Sequence, residues 1–382
     1  DSQYKNTTAD LLLNNVIQPF LDLLKEDFNK GFKKIMEYDD YSMNSYLKFQ
    51  ENWDESMINY VESLTSQRKQ FTHSFTEIVM EYIDFESAKW YHVEGGMSKV
   101  IDSLVKIIGK ENISLNSKIS KIEETKNGTV ILYNNTQQLG AFDAVLAAIP
   151  PASLRMMEHP LWSHQKENAI ASIEFEPLYK IGIQFTTRFW ENKTITNGHP
   201  SYGGVTITDL PIKWIAYPSY GINDTGPGVL MCYTWGTDAL KWLPLSEKEQ
   251  IDLALHDLSL IYGDVVYKQF KNYKSFSWVS SYAQGNAMFL PGQFKDFFNV
   301  AQQPEGNIYF GGEHLSTAHT WIVGGIDSAL IVYKQMFHIN ETSLLHALHS
   351  DSNLENPNIY EHKPNSYDPN SDEENHQESL IE

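Results

Sequence analysis

The first 92 residues repeat apolar positions at helical steps. Leu13, Val16, Ile17, Phe20, Leu24, Phe28, Phe32 and Ile35 recur every three or four residues, which puts them on one face of a helix. The pattern predicts an amphipathic helix kinked near Pro19, because a proline removes a backbone donor. Ser42 is placed to cap a second helix carrying Met43, Tyr46 and Leu47. Further helical stretches are predicted at about 54–65 and 72–85. Within this part Gly31 and Pro19 are the sole glycine and proline, so it reads as a helical unit.

Past His92 the period changes. A helix over 100–108 leads into 113–133, where apolar and polar residues alternate and Asn127-Gly128 supplies a hairpin turn. Residues 142–149 form an apolar run closed by Pro150-Pro151, as in a buried strand. Residues 179–186, 213–218, 229–234 and 307–310 read as further strands. Ser246 and Glu249 have capping-box spacing ahead of a helix that stops at Gly263, and another helix follows Trp321. No internal repeat is evident. The chain is predicted to be mixed α/β with a helical N-terminal part.

Composition narrows the function classes. The 382 residues carry a net charge of −20, which argues against a nucleic-acid surface. Eight of those charges fall in 351–382, a stretch rich in Asn, Ser and Pro that reads as a solvated, mostly disordered acidic tail. Cys232 is the one cysteine, so an internal disulfide and a Cys-rich zinc site are excluded. No apolar run approaches a membrane span. His92, His314 and His319 lack acids at ligand spacing, and no metal site is expected.

Residues 307–330, NIYFGGEHLSTAHTWIVGGIDSAL, concentrate the candidate chemistry. A short strand would run into Gly311 and Gly312, where a ligand could approach the backbone closely. Glu313 follows, an acid suited to accepting hydrogen bonds from sugar or ribityl hydroxyls. Trp321, Ile322 and Val323 then open a helix whose N-terminus favours developing negative charge. An ordinary strand, loop and helix around a buried Trp fits these residues equally well.

This segment resembles the C-terminal flavin-binding motif of the flavin amine oxidase family, and is most similar to its L-amino acid oxidases of the snake-venom and fungal kinds. Eight other runs look like family segments in family order: YDDYSMNSYL (38–47), WYHVEGGMSK (90–99), LNSKISKI (115–122), KIGIQFTTRFW (180–190), TDLPIKWIAYP (208–218), YTWGTDA (233–239), HDLSLI (256–261) and SWVSSYAQG (277–285). The resemblance implies FAD as cofactor. It also implies a helical domain (1–92), a divided and incomplete Rossmann-like FAD-binding domain (93–172 and 299–342) and a mixed-sheet substrate-binding domain (173–298), followed by a tail (343–382).

The resemblance also implies roles. Glu313, after Gly312, would hold the ribityl hydroxyls, with Ile322 and Val323 at the helix end facing the flavin. Trp321 and Tyr233 would cage the reacting carbon, Tyr233 also meeting the substrate carboxylate. Lys180 would hold a water near flavin N5; a buried lysine has a depressed pKa suited to such work. Trp278 would pack on the flavin, the Ile119 backbone would meet adenine, and Ala287 would line the substrate pocket. The substrates would be an L-amino acid and O2, giving a 2-oxo acid, ammonia and hydrogen peroxide. A flavin monoamine or polyamine oxidase, or a non-catalytic subunit on the same scaffold, are the alternatives.

The family's opening GxGxxG unit is missing from the sequence, and with it the arginine that clamps the substrate carboxylate. With the start at Asp1, this leads to the expectation of a cut precursor. A second, smaller chain would carry the GxGxxG half, in a dimer of such heterodimers. Seven Asn-X-Ser/Thr sites (Asn6, Asn112, Asn127, Asn134, Asn192, Asn223 and Asn340) favour a secreted or vesicular protein over a cytoplasmic one, while the absent disulfides count the other way.

Overall fold

The computed structural model describes residues 7–65, 70–85, 91–279 and 284–339. The acidic tail lies outside the described residues.

The helical unit contains α1 (Ala9–Glu26), α2 (Phe28–Ile35), α3 (Met43–Phe49), α4 (Glu55–Leu64) and α5 (Phe75–Asp84). The predicted apolar stripe exists, but it is divided between two helices. The first helix continues through Pro19, and the break comes at Asp27. That residue is extended, and its carboxylate accepts from the Lys30 backbone N–H at 3.1 Å, capping α2. The chain doubles back so tightly that a Cβ on Gly31 would stand 2.6 Å from the Leu24 nitrogen, which is why the unit's one glycine sits there. Leu13, Ile17, Ile35, Met43, Leu47, Phe71, Phe75 and Ile78 form its core.

Next come α6 (Ser98–Ile108), the three-stranded antiparallel sheet β1 (Lys121–Glu124), β2 (Val130–Asn134) and β3 (Gln137–Phe142), and then β4 (Val145–Ala147). The Asn127-Gly128 turn joins β1 to β2 as expected. The apolar run at 142–149 is split: Phe142 ends β3, and only Val145–Ala147 pair as β4. The helices α7 (Pro151–Arg155) and α8 (His164–Ser172) follow. Inside α8 the buried Lys166 ammonium donates to the Ala301 and Gln303 carbonyls at 2.6 and 2.7 Å.

The largest sheet has the order β10-β6-β9-β8-β7. Its strands are β6 (Leu178–Phe185), β7 (Val205–Ile207), β8 (Trp214–Ala216), β9 (Gly228–Trp235) and β10 (Phe270–Ser277), all antiparallel; the two-residue β5 (Phe175–Glu176) precedes it. Side chains alternate between its faces. Tyr179, Ile181, Ile183, Phe185, Leu230 and Cys232 face a core shared with Leu255 and Leu258. Those leucines belong to α10 (Glu247–Tyr262), which lies between α9 (Gly236–Leu240) and α11 (Val265–Gln269). The capping box of Ser246 and Glu249 is formed. β10 escaped the sequence pattern, because Lys271, Asn272 and Lys274 interrupt its apolar positions.

The chain closes with β11 (Asn286–Ala287) paired to β5, α12 (Asn299–Gln302), β12 (Ile308–Phe310) paired parallel to β4, and α13 (Ile322–Phe337). A third core around Ile308, Phe310, Ala147, Phe289 and Phe294 joins these parts. The fold is mixed α/β. No described helix is long and apolar enough to cross a membrane.

Candidate active site

The face of the large sheet turned away from α10 carries the sequence-predicted aromatic and cationic residues. Lys180 on β6 lies directly opposite Tyr233 on β9, and Trp214 on β8 lies opposite Tyr233 on its other side. Directly opposed residues share a face, and the Lys180 ammonium sits 4.4 Å from the centre of the Tyr233 ring. Trp278, just past the end of β10, lies 5.4 Å from the same ammonium. Cation–π contact favours this arrangement. Burial alone pushes the Lys180 pKa down. Burial pushes that of Tyr233 up, with the carboxylates of Glu176 and Glu81 adding to the effect.

The 307–330 segment folds as a strand, a short loop and a helix. Gly312 has φ +146°, and a Cβ there would meet the His314 ring at 2.6 Å; its N–H donates to Ser328 Oγ at 2.7 Å. Glu313 turns inward. One carboxylate oxygen accepts from the Ala287 N–H at 2.8 Å and the other from the Thr320 N–H at 2.9 Å. These two bonds bring Glu313 and Ala287 together and tie the loop to β11. Burial raises the Glu313 pKa, while the charge of His319 and the two backbone donors oppose it. Trp321 ends the loop, edge-on to Phe85 at 5.2 Å between ring centres, so the site meets the C-terminal end of α5. Ile322 is largely exposed at the start of α13 and Val323 is half-buried. Ile119 packs partly buried against the third core.

Sequence reasoning missed a group of acids, of which Glu77 and Glu176 are buried and Glu81 and Asp84 half-buried. Glu77, Glu81 and Asp84 share one face of α5, and Glu176 lies on β5. Glu77 accepts from His319 Nδ1 at 2.8 Å and from the Phe289 N–H at 2.8 Å, with both ionic partners fully buried. The signal was available: three acids at steps of four and three on an otherwise apolar helix.

The model of the flavin containing amine oxidoreductase family matches residues 27–332. The chain belongs to this family.

Among curated relatives, the Bacillus subtilis protein YobN, named as an L-amino-acid oxidase, is 33% identical over 85% of this chain and 69% of its own length. A Dictyostelium discoideum protein named as a bifunctional amine oxidase is 31% identical over 90% of the chain. The L-amino-acid oxidase of Demansia vestigiata is 29% identical over 77% of it. The chain spans only 34% of the Dictyostelium relative and 57% of the Demansia one. The fold is similar to that of cyclohexylamine oxidase from Brevibacterium oxydans, with TM-score 0.67 at 14% identity, over 88% of this chain and 77% of that one. Putrescine oxidase aligns over the same shares with TM-score 0.63 at 14% identity.

The family's cofactor is FAD, and the residues present suit it. No side chain caps the N-terminus of α13, and a Cβ on Gly325 would have no atom within 4 Å. An uncapped helix end beside open glycine backbone suits a flat ring that gains negative charge on reduction. Lys180 lies over two aromatic rings, and burial is the sole cause of its lowered pKa.

Proposed function

We propose that the protein is an FAD-dependent L-amino acid oxidase, forming a 2-oxo acid, ammonia and hydrogen peroxide from an L-amino acid, water and O2. The observation that carries this reading is the Lys180–Tyr233–Trp278 group: a lysine with a depressed pKa held over aromatic rings. The names of the bacterial and snake relatives support the amino acid as substrate class.

A bound flavin would supply the redox chemistry, taking two electrons from the substrate and returning them to O2. The chain's own residues prepare that event. Tyr233 and Trp321 would offer flat faces that orient the amine without competing for its lone pair. Lys180, neutral more readily than an exposed lysine, would hold and deprotonate the water that hydrolyses the imine. Glu313 would fix the loop between β12 and α13 through its two backbone bonds and offer its remaining lone pairs to the ribityl hydroxyls. Trp278 would pack against the flavin, and the Ile119 backbone would meet adenine.

The GxGxxG unit would pack on α6 and the β4–β12 pair. In support, α6 buries no residue, and Val100, Ile101, Leu104, Ile107 and Ile108 are all exposed along it. Denaturing mass analysis of purified active protein tests this part. A second, smaller chain carrying GxGxxG supports the cut precursor, and a single longer chain rejects it.

A flavin monoamine or polyamine oxidase is the second reading, favoured by the fold likeness to cyclohexylamine and putrescine oxidases. The deciding measurement is peroxide release from an amino acid against its decarboxylated amine, by protein whose flavin absorption is recorded first. Faster turnover of the amine rejects the amino acid reading.

A further inference from the structure

The acids on α5 carry the argument further. Ser74 caps this helix, its hydroxyl accepting from the Glu77 N–H at 3.0 Å. Glu77, Glu81 and Asp84 then fall on one face. Glu77 is fully provided for by His319 and the Phe289 N–H. Glu81 and Asp84 are not. Glu81 Oε2 and Asp84 Oδ2 are shut off from solvent and accept no hydrogen bond from any described residue.

Glu176 approaches from β5 and is 5% exposed. Burial first, and then the neighbouring carboxylates, push Glu81 and Glu176 up to about 8 and Asp84 up to about 7. His319 alone lowers Asp84 by its charge, and it already serves Glu77. So the acids outnumber the described cations around them. Glu176 and Glu81 are near enough for their charge to raise the Tyr233 pKa, and Phe85, which follows Asp84 in the chain, lies edge-on to Trp321. The acids therefore gather beside the two aromatics of the candidate site.

Buried carboxyl oxygens without a partner are costly, and an incoming cation with N–H donors would satisfy both their charge and their lone pairs. The amine that is to be oxidised cannot be that cation, because hydride loss from Cα needs the neutral amine with its lone pair free. A carboxylate holding it charged would oppose the reaction. Lys180 is not the partner either, since no acid figures among the causes of its shift. The group that fits stays charged throughout and lies a side-chain length from Cα.

We infer that Glu81 and Asp84, with Glu176 behind them, form a side-chain subsite for a cationic group, so that the preferred substrate is a dibasic L-amino acid. This rests on the oxidase reading above. It makes Glu81 and Asp84 specificity-determining residues, with the terminal ammonium donating to Glu81 Oε2 and Asp84 Oδ2.

The test uses the full-length flavin-loaded protein. L-lysine and L-norleucine differ by the terminal amine, and peroxide release should give L-lysine at least about a tenfold advantage in kcat/KM, the scale of one charge-assisted contact. Glu81→Gln and Asp84→Asn should each cut that ratio about tenfold, through KM. A second readout needs no turnover. 6-Aminohexanoate, which has no α-amine, should raise the melting temperature where hexanoate does not, and Glu81→Gln should abolish the rise. If L-norleucine is oxidised as well as L-lysine and neither variant alters the ratio, the subsite is overturned while the oxidase reading survives. That is also the outcome if a cation from elsewhere in the protein occupies the acids. If neither amino acid releases peroxide but the Glu81-dependent melting shift remains, the oxidase reading falls and the cationic subsite stands.

Discussion

Lys180 and Tyr233 are directly opposed on adjacent antiparallel strands, and the lysine ammonium lies 4.4 Å from the centre of the tyrosine ring. The register of β6 and β9 fixes this contact, so it does not depend on a mobile loop. Burial depresses the lysine pKa, which enlarges the neutral fraction at any pH below the ordinary lysine value of 10.5. Lys180→Met is expected to keep the flavin spectrum while lowering kcat by about 10²-fold or more, the scale of a lost acid–base group. Wild-type kcat should rise with pH through the lowered lysine pKa, and the variant should lose that rise. Steady-state peroxide assays across pH check both.

His319 and Glu77 form a buried pair 2.8 Å apart. Burial would lower the His319 pKa, but the charge of Glu77, its hydrogen bond and the charge of Glu313 outweigh burial and raise it. A raised folded value means the stabilisation is complete below about 6.5, the ordinary histidine pKa, and is lost as pH rises through the folded value. Glu77→Gln should cost about 3–5 kcal/mol at pH 6, as for other buried pairs broken on one side. It should also remove this part of the pH dependence. Denaturant melts at several pH values decide it, and a variant as stable as wild type at pH 6 would show that the pair contributes nothing.

The two glycines at the start of α13 should respond oppositely. A Cβ on Gly324 would stand 2.0 Å from the Ala318 carbonyl oxygen, so Gly324→Ala is expected to destabilise by about 1–3 kcal/mol, as overpacking does. Gly325 has open space, and Gly325→Ala should stabilise the flavin-free protein by up to about 1 kcal/mol through helix propensity. If flavin approaches the backbone there, the same change should lower bound FAD. Chemical denaturation and flavin content, measured together, separate the two effects.

The exposed ridge of α6 invites a surface test. Replacing Ile101 and Leu104 by Glu removes two apolar side chains, each able to contribute about 1.5–3 kcal/mol when buried. If the GxGxxG unit packs there, the doubly substituted full-length protein should lose FAD. The helical core, to which α6 contributes no side chain, should melt as before. Unchanged FAD content would place the contact elsewhere.

Much of this fold can be read from the chain. The stripe from Leu13 to Ile35, the hairpin at Asn127-Gly128, the capping box at Ser246 and the strand-like runs of β6 and β9 are local patterns that packing obeyed. The break at Asp27 was hidden because Pro19 is the stronger breaker, yet a proline can be carried within a helix whose burial compensates for the lost bond. β10 was hidden because its partner supplies the regularity its own sequence lacks. In the site, Lys180, Tyr233 and Trp278 were found by resemblance and brought together by register. The acids of α5 were passed over because each, taken alone, looks like a solvated helix residue. Only the fold, which brings Glu176 of β5 and His319 before α13 close to them, makes them a group.

The β4–β12 pair has a further consequence. Each strand is three residues long, and β12 runs straight into Gly311, Gly312 and Glu313. The loop that would meet the cofactor thus starts from a strand anchored in the third core, where Ile308 and Phe310 are buried. Whatever binds it closed stabilises the whole chain by mass action. Loss of the flavin should therefore lower the melting temperature of the entire chain rather than loosen this loop alone.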